Sequence, residues 1–404
     1  MADAAIGAYE MEGATGTGHM TEERRMMRDL AREFTKNEVL PVANKLDPEK
    51  GDIPRELIDK MGELGFFGIT IPEKYGGLGL GVFEYCLVAE ELARGWMSVA
   101  SIIARGNGFY RSVPGTGDER LEKIRRMAWG DYLGAFSMSE PNAGSDVASI
   151  TCRAEKDGDE WVINGNKYWC TFADGADFIS VIARTDTDSN KRHAGLTSIA
   201  VEKPRGELPK GVTGSAIPKI GYFGWKTYEL HFDNVRVPIV KKDGDTEGKA
   251  FYSVASGLEV ARAHTAARSI GLAQGALEDA MAYAHEREQF GQPIGNFQAI
   301  RFKIATMATE IEAARQLMYH VANEIDSGRR CDKEASMVKY FAAEMAERVT
   351  SEGLQILGGA GYTTLHAMER YWRDARLTKI FEGSSEIQQR IISDNLLGKV
   401  KRNS

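Results

Sequence analysis

The stretch 300–325 reads IRFKIATMATEIEAARQLMYHVANEI, and it decides the helical part of the fold. Its apolar residues fall at positions 300, 304, 307, 311, 314, 318, 321 and 325, a strict alternation of four and three. That spacing is typical of a helix that packs along a near-coiled-coil seam. It predicts a helix over about 297–325, roughly 43 Å long at 1.5 Å per residue, with its apolar stripe in the core.

Helical patterns extend from this stretch in both directions. Long helices are predicted over about 250–286 and 335–357, and they form a four-helix bundle with the last segment, in a domain covering 246–404. Residues 21–130 are predicted to form an N-terminal helical domain. Thr21 suits the N-cap of its first helix, and further helices are expected over 54–64 and 83–93.

The region between the helical parts, residues 131–245, has a different sequence pattern. Short β-rich runs such as ITCRAE, EWVI and FISVIART alternate with turn signals such as DGDE and NGNK. This pattern predicts an antiparallel sheet or a small barrel. No GxGxxG follows a strand, which argues against a Rossmann domain. The predicted fold class is therefore α+β multidomain, with a helical N-terminal domain, a middle antiparallel β domain and a C-terminal four-helix bundle.

Composition excludes several classes of protein. The 404 residues are 43% hydrophobic and 27% charged, as in ordinary globular proteins of two or three domains. The net charge of −7 and the lack of a basic cluster argue against nucleic-acid binding. No apolar run approaches the roughly 20 residues of a membrane helix. The four cysteines are far apart and form no CxxC, so neither a disulfide framework nor a zinc site is predicted.

The first twenty residues are rich in Gly and Ala and contain no Lys or Arg. A secretory signal needs a basic start, and a mitochondrial presequence is rich in Arg and poor in acidic residues. We therefore expect residues 1–20 to be a flexible leader and the protein to be cytoplasmic.

Three polar turns interrupt the regular elements and are candidates for a site. The first, 136–146, contains small residues that would let backbone N–H groups approach an anionic ligand. In the second, 167–171, strand alternation would place Trp169 and Thr171 on one face, able to stack on and hydrogen-bond a flat ring. The alternatives are an ordinary loop for the first turn and a buried core tryptophan for the second.

The third turn, 380–388, places Glu382 just before the last helix. Ser385 and Gln388 fit a capping box that would start this helix. The helix dipole would favour an ionised Glu382, whereas burial would oppose it. Alternatively, Glu382 is an acidic residue at the start of a helix and has no role in a site.

Five separated motifs stand out along the chain: EPNAGSD at 140–146, WCT at 169–171, REQFG at 287–291, QILGGAG at 355–361 and FEGSS at 381–385. Together they resemble the acyl-CoA dehydrogenases, in the order in which that family has them. The resemblance covers about residues 21–398.

The resemblance implies FAD as cofactor and an acyl-CoA thioester as substrate, as in fatty acid metabolism. It implies that the flavin and its ribityl-phosphate chain are lined by Phe136, Met138, Ser139, Ser145, Trp169 and Thr171. It also implies that the FAD of a neighbouring subunit, in a homotetramer, is contacted by Arg287, Phe290, Gln355 and Gly359. Ser384 and Glu386 would close over the adenosine end, although Glu386 departs from the usual Gln or Asn and equally suits a first helical turn.

By the same resemblance, Glu382 is the base that removes the α-proton while hydride leaves Cβ for the flavin. One branch of the family carries its base just before an arginine on the first bundle helix, but here Ala261 precedes Arg262. That slot is empty, which supports Glu382, and Glu259 would face elsewhere on the helix. The residues expected to contact the substrate are Ser145, Arg262, Phe381, Gly383 and Arg105.

Arg105 falls in the segment 95–107, where the family builds the floor of its acyl pocket. A buried Arg needs an anionic partner, which could be a distal carboxylate on the substrate. The segments 221–231 and 329–332 are also similar to the methylsuccinyl-CoA dehydrogenase branch. The alternative is a structural ion pair between Arg105 and a local acid.

The function predicted from sequence is FAD-dependent α,β-dehydrogenation of an acyl-CoA, with an electron-transferring flavoprotein as electron acceptor. Three alternatives remain open at this point. An acyl-CoA oxidase would use the same residues and admit oxygen to the flavin. A flavin monooxygenase would not need Glu382, and a non-catalytic nucleic-acid-binding paralogue would want the basic surface that this chain lacks.

Overall fold

The structure is a computed structural model, and it describes residues 19–188, 193–240 and 247–400. Most of the leader expected over 1–20 lies outside the described residues. The predicted order of a helical part, a β part and a second helical part is confirmed. None of the helices in the described ranges is long and apolar enough to cross a membrane.

The N-terminal part is a cluster of helices. Its first two helices, α1 (Glu22–Phe34) and α2 (Leu40–Leu46), are joined by a π-helical segment, Thr35–Val39. Thr21 caps α1 as predicted, because its Oγ1 accepts a hydrogen bond from the Arg24 N–H at 3.3 Å. The helices of this part are α1 (Glu22–Phe34), α2 (Leu40–Leu46), α3 (Arg55–Glu63), α4 (Val82–Gly95), α5 (Met97–Ile102), α6 (Ala104–Asn107) and α7 (Gly117–Ala128).

The middle part is a seven-stranded sheet with its own apolar core. Its longest pairing is between β3 (Glu160–Thr171) and β7 (Thr227–Pro238), which run antiparallel. The strands are β1 (Gly134–Ser137), β2 (Arg153–Asp157), β3 (Glu160–Thr171), β4 (Phe178–Arg184), β5 (Leu196–Glu202), β6 (Val212–Ala216) and β7 (Thr227–Pro238).

The sheet is not purely antiparallel, which corrects one detail of the prediction. β1 pairs with β4 in parallel, and β2 meets β4 in parallel at Arg153 and Arg184. β5 pairs with β4 antiparallel along its whole length. The β2–β3 hairpin lies between β1 and β4 in the chain, and the long connection that includes it lets β1 lie parallel to β4. Local turn signals predict hairpins but not this long-range pairing.

The C-terminal part contains the long helices predicted from the apolar spacing, with bounds that differ from the predicted ones by at most three residues. Met307, Ile311, Ala314, Met318 and Val321 of the seam are buried, and the remaining seam positions are half-buried. The elements are α8 (Ala250–Glu286), the short strands β8 (Glu288–Gln289) and β9 (Gln292–Pro293), α9 (Gln298–Asp326), α10 (Asp332–Leu357), α11 (Met368–Thr378) and α12 (Ser385–Leu397).

The helix α8 joins the two helical parts, since it packs against α4 as well as α9 and α10. Gly271 makes this approach possible: a Cβ there would lie 2.1 Å from the Glu90 carbonyl oxygen of α4. Gly275 is similarly close to the Arg94 carbonyl oxygen. The tight contact fixes the rotation of α8 about its axis and therefore which of its side chains face the candidate site.

Candidate active site

Glu382 lies on the turn between α11 and α12, in a left-handed backbone conformation with φ of +53°. Gly383 follows with φ of +92°, a value that glycine adopts without strain. The predicted capping box is wrong, because the N-cap is Ser384 and it makes no side-chain capping bond. The Ser385 hydroxyl donates to Glu344 of α10 instead, at 2.7 Å, and the Gln388 amide donates to the Gly383 carbonyl at 3.0 Å.

The Glu382 carboxylate is held by two residues of α8. Arg268 Nη2 donates to both of its oxygens at 2.8 Å, and the Thr265 hydroxyl is hydrogen-bonded to Oε2. Thr265 and Arg268 are three residues apart and therefore share one face of the helix. Arg268 is almost fully buried, and its Nη1 also donates to Ser101 Oγ at 2.8 Å.

The electrostatics of this pair favour an ionised Glu382 carboxylate. Burial raises the pKa of Glu382, but the charge of Arg268 and the hydrogen bonds from Thr265 and Arg268 outweigh burial, so that its pKa is lowered from 4.5. About 35% of the Glu382 side chain nevertheless remains exposed. The carboxylate is therefore charged at neutral pH and is open on one side.

A second cation, Lys339 of α10, contacts the same turn. Its Nζ is buried and donates to the Gly383 carbonyl at 2.6 Å. Burial lowers the pKa of Lys339 to about 8, although Glu382 opposes this shift. Lys339 therefore ties the turn to the bundle without neutralising the Glu382 carboxylate directly.

Aromatic rings line the region between Glu382 and Arg105. The Tyr222 ring packs edge-on against Phe381 at 5.8 Å and against Trp225 at 5.1 Å. The Arg105 guanidinium lies 5.0 Å from the centre of the Trp225 ring. Arg268 lies 4.9 Å from the centre of the Phe381 ring. Residues from α6, α8, the β6–β7 connection and the Glu382 turn thus converge on one site.

The structure does not support a local ion pair for Arg105. Within the described ranges no carboxylate lies in ion-pair contact with its guanidinium, and its buried Nε has no hydrogen-bond partner. Burial lowers the pKa of Arg105, and Tyr222, Cys170 and Glu382 oppose this shift.

The alternative base position on α8 holds Ala261 and therefore has no acidic side chain, as the sequence shows. Ala261 lies one turn before Thr265, whose hydroxyl is 2.9 Å from the Ala261 carbonyl oxygen. Glu259 faces elsewhere and accepts a contact from Cys331 Sγ at 3.7 Å. Arg262, expected at the substrate, forms an ion pair of 2.5 Å with Asp332.

The loop after β1 is held by a buried ion pair that the sequence analysis did not single out. Lys167 Nζ donates to Glu140 Oε1 and to the Met138 carbonyl, both at 2.9 Å. Glu140 also accepts hydrogen bonds from the Thr151 and Cys152 N–H groups. Of the predicted cofactor residues, the loop presents half-buried Phe136, Met138 and Ser139 and exposed Ser145.

Trp169 is not part of the β core, since 56% of it is exposed. A register shift between β3 and β7 falls at this point, and Trp169 has φ of +65°. Thr171 is half-buried, with its hydroxyl 3.1 Å from that of Thr227. The segment meets the loop after β1 where the Tyr168 N–H donates to the Ser139 carbonyl at 2.8 Å. The exposed indole face and the small residues of the loop suit the flat ring and the phosphates of FAD, respectively.

The other predicted cofactor residues lie apart from this cluster. Phe290, which is 92% exposed, sits on the turn between β8 and β9. The remaining exposed members of that group are Arg287, Gln355 and Gly359. Half-buried Ser384 and exposed Glu386 flank the start of α12, and their predicted contacts with the cofactor stay predictions.

Sequence reasoning assigned no role to several residues that contact the turn at 380–388 or Arg105: Thr265, Arg268, Lys339, Tyr222 and Trp225. One signal was available for Arg268. The α8 stretch 261–273 consists largely of alanine and other small or apolar residues, and an arginine there has to be buried. The partners of Lys339 and Tyr222 depend on packing between distant segments and left no local pattern.

Models of one protein family match all three parts of the fold. The acyl-CoA dehydrogenase N-terminal domain matches residues 21–123, the middle domain 135–235 and the C-terminal domain 248–397. The chain is 41% identical over 389 residues to (2S)-methylsuccinyl-CoA dehydrogenase of Cereibacter sphaeroides, covering 95% of this chain and 71% of that protein.

A second relative is the subunit CarC of the caffeyl-CoA reductase–Etf complex of Acetobacterium woodii, 37% identical over 94% of this chain and all of that protein. The solved structure of butyryl-CoA dehydrogenase from Megasphaera elsdenii has a TM-score of 0.87 at 34% identity, over 94% of this chain and 99% of that chain. These matches show that the chain belongs to the acyl-CoA dehydrogenase family, whose members are FAD-dependent oxidoreductases acting on CH–CH bonds.

Proposed function

We propose that this protein dehydrogenates an acyl-CoA thioester between Cα and Cβ, with Glu382 as the catalytic base. The observation that carries the proposal is the ionised, partly open Glu382 carboxylate, held by Arg268 and Thr265. A weakly acidic proton next to a thioester carbonyl needs a base that is positioned and charged.

In the proposed reaction, Glu382 accepts the α-proton as the Cα–H bond breaks. The pair of electrons from that bond forms the new double bond as hydride leaves Cβ. FAD, when bound, supplies the two-electron acceptor for this hydride. Arg268 stabilises the carboxylate before the reaction, and Lys339 holds the turn through the Gly383 carbonyl.

We propose the loop at 136–146 and the Trp169–Thr171 segment as the flavin site. Trp169 offers a stacking face, and Thr171 a hydroxyl. The buried Lys167–Glu140 pair keeps the loop in place beside them. The exposed group at Arg287, Phe290, Gln355 and Gly359 is proposed to serve the cofactor of a neighbouring subunit, which requires an oligomer, with a homotetramer as the expected form.

We propose an electron-transferring flavoprotein as the electron acceptor. The support is the relative that is named as a subunit of a complex with Etf and is 37% identical to this chain.

The test is the variant Glu382→Gln in the FAD-loaded protein. Both proteins are mixed anaerobically with an acyl-CoA that bleaches the wild-type flavin. The rate of flavin reduction in the variant should be at least about a hundredfold lower than in wild type, which is the lower end of what a positioned base contributes. Glu259→Gln is the matched control, since Glu259 contacts Cys331, and it should bleach at the wild-type rate. Near-normal reduction in Glu382→Gln would contradict the assignment.

A further inference from the structure

We infer that Arg105 binds a carboxylate at the far end of the acyl group, so that the preferred substrate is a short acyl-CoA with a second carboxylate. The inference rests on the proposed function and names its substrate class. Its evidence is the position of Arg105, the contacts that link it to Glu382, and the charges around both residues.

Arg105 is a cation placed where nothing in the described chain neutralises it. Its Nε is buried and has no hydrogen-bond partner, and its guanidinium is in contact range of the Trp225 and Phe109 rings. Two nearby or comparable arginines have acid partners: buried Arg268 pairs with Glu382, and half-buried Arg315 pairs with Glu90. Buried Arg370 has no acid partner among the described residues, but it donates to the Asn44 side chain and the Gly95 carbonyl, whereas no such bond is formed by Arg105. A desolvated guanidinium without an acid costs free energy that a bound anion would recover.

A continuous series of ring contacts connects Arg105 to the base. It runs from Arg105 to Trp225, from Trp225 to Tyr222, and from Tyr222 to Phe381, the residue before Glu382. Each step spans between 5.0 and 5.8 Å. Arg105 therefore belongs to the group of aromatic contacts that packs against the Glu382 turn, and Glu382 is among the groups that raise its pKa.

The charges of this region are unbalanced. Arg268 and Lys339 act on Glu382, and Arg268 and Glu382 are among the strongest charges acting on Arg105. Glu382 is the one carboxylate in this group, and Arg268 already engages both of its oxygens. A second carboxylate would bring the charges closer to balance, and it would have to come from a ligand.

The chemistry of the site selects the kind of acyl group. A guanidinium offers a planar fork that matches a carboxylate in a bidentate pair, whereas an alkyl tail would desolvate it without compensation. Because one series of three ring contacts joins Arg105 to the Glu382 turn, we expect the acyl chain between the base and the distal carboxylate to be short. Methylsuccinyl-CoA and glutaryl-CoA are acyl groups of this size and charge.

The experiment uses the FAD-loaded protein and matched pairs of thioesters: methylsuccinyl-CoA and glutaryl-CoA, each against its analogue with methyl in place of the distal carboxylate. We expect wild type to have the higher kcat/KM for the dicarboxylic member of at least one pair. Arg105→Met should lower that ratio at least about tenfold, which is the lower range for losing a hydrogen bond to a charged group. Arg105→Lys should retain part of the preference.

A binding measurement separates this inference from the proposed reaction. Unreactive thioether analogues of the same pairs are titrated calorimetrically into wild type, Arg105→Met and the control Arg315→Met. Tighter binding of the dicarboxylic thioether that is lost only in Arg105→Met supports the inference, even if no thioester bleaches the flavin. A wild-type preference for the uncharged member, or a ratio unchanged in Arg105→Met, would overturn it whatever the dehydrogenase activity.

Discussion

Removing the charge of Arg268 should make the reaction sensitive to acid. In wild type the pKa of Glu382 lies below 4.5 despite burial, because Arg268 and Thr265 stabilise the carboxylate. The base must be deprotonated to act, so the rate is lost as pH falls through this pKa. In Arg268→Met the main stabilising charge is absent, and the pKa of Glu382 should rise.

The size of the effect follows from the geometry. Two charges about 4 Å apart interact by about 4 kcal/mol at an effective dielectric constant of about 20. Because 35% of the Glu382 side chain is exposed, solvent screens the pair, and we take about half of that value or less. At 1.36 kcal/mol per pKa unit, the acid limb of the pH profile should therefore move up by about 1.5 units or less.

The assay is anaerobic flavin reduction by stopped flow, with kcat/KM measured from pH 5 to pH 8. Wild type should change little over this range, whereas Arg268→Met should lose activity several-fold towards pH 5. Arg268→Lys should behave more like wild type, and Arg315→Met controls for the loss of a half-buried arginine elsewhere. Parallel pH profiles for wild type and Arg268→Met, in variants that retain FAD, would refute the electrostatic role given to Arg268.

Two further predictions concern stability and the cofactor. Lys167→Met leaves the buried Glu140 carboxylate without its partner and should lower the free energy of unfolding in urea by about 3–5 kcal/mol, whereas Lys156→Met, in an exposed ion pair, should cost less than about 1 kcal/mol. Equal effects of the two variants would contradict this. Arg287→Ala should leave stability nearly unchanged but weaken FAD binding by about 1–3 kcal/mol in fluorescence titrations, with exposed Arg153→Ala as control. A monomer that keeps stoichiometric FAD at low concentration would refute the role of Arg287 between subunits.

Much of the fold follows from local patterns in the chain. The 4-3 spacing over 300–325 specifies a helix with one apolar face, and the structure buries that face. Thr21 caps its helix because a side-chain oxygen three residues before an N–H can reach it whatever the tertiary context. The capping box expected at Ser385 is absent because Glu344, forty-one residues away in sequence, accepts the hydroxyl proton instead.

For the candidate site, short motifs in the sequence predicted which residues are candidates for the chemistry. The predicted set includes Glu382, Trp169, Thr171 and the loop at 136–146, and in each case the residue types of the motif suit the proposed role. Arg105 was also visible as a cation in an apolar segment. Whether these residues meet in space could not be read from the motifs, because they lie in separate segments of the chain.

The ionisation state of the Glu382 carboxylate depends on the tertiary structure. Helix dipole and burial act on Glu382 in opposite directions, and local sequence does not say which is stronger. The close packing of α8 on α4 at Gly271 orients Arg268 and Thr265 towards the Glu382 turn. Arg268 and Glu382 are 114 residues apart in the chain. The tertiary structure also leaves Arg105 without a described acid partner. A charge interaction depends on distance through space and on the surrounding solvent, and both are properties of the packed protein rather than of any one segment.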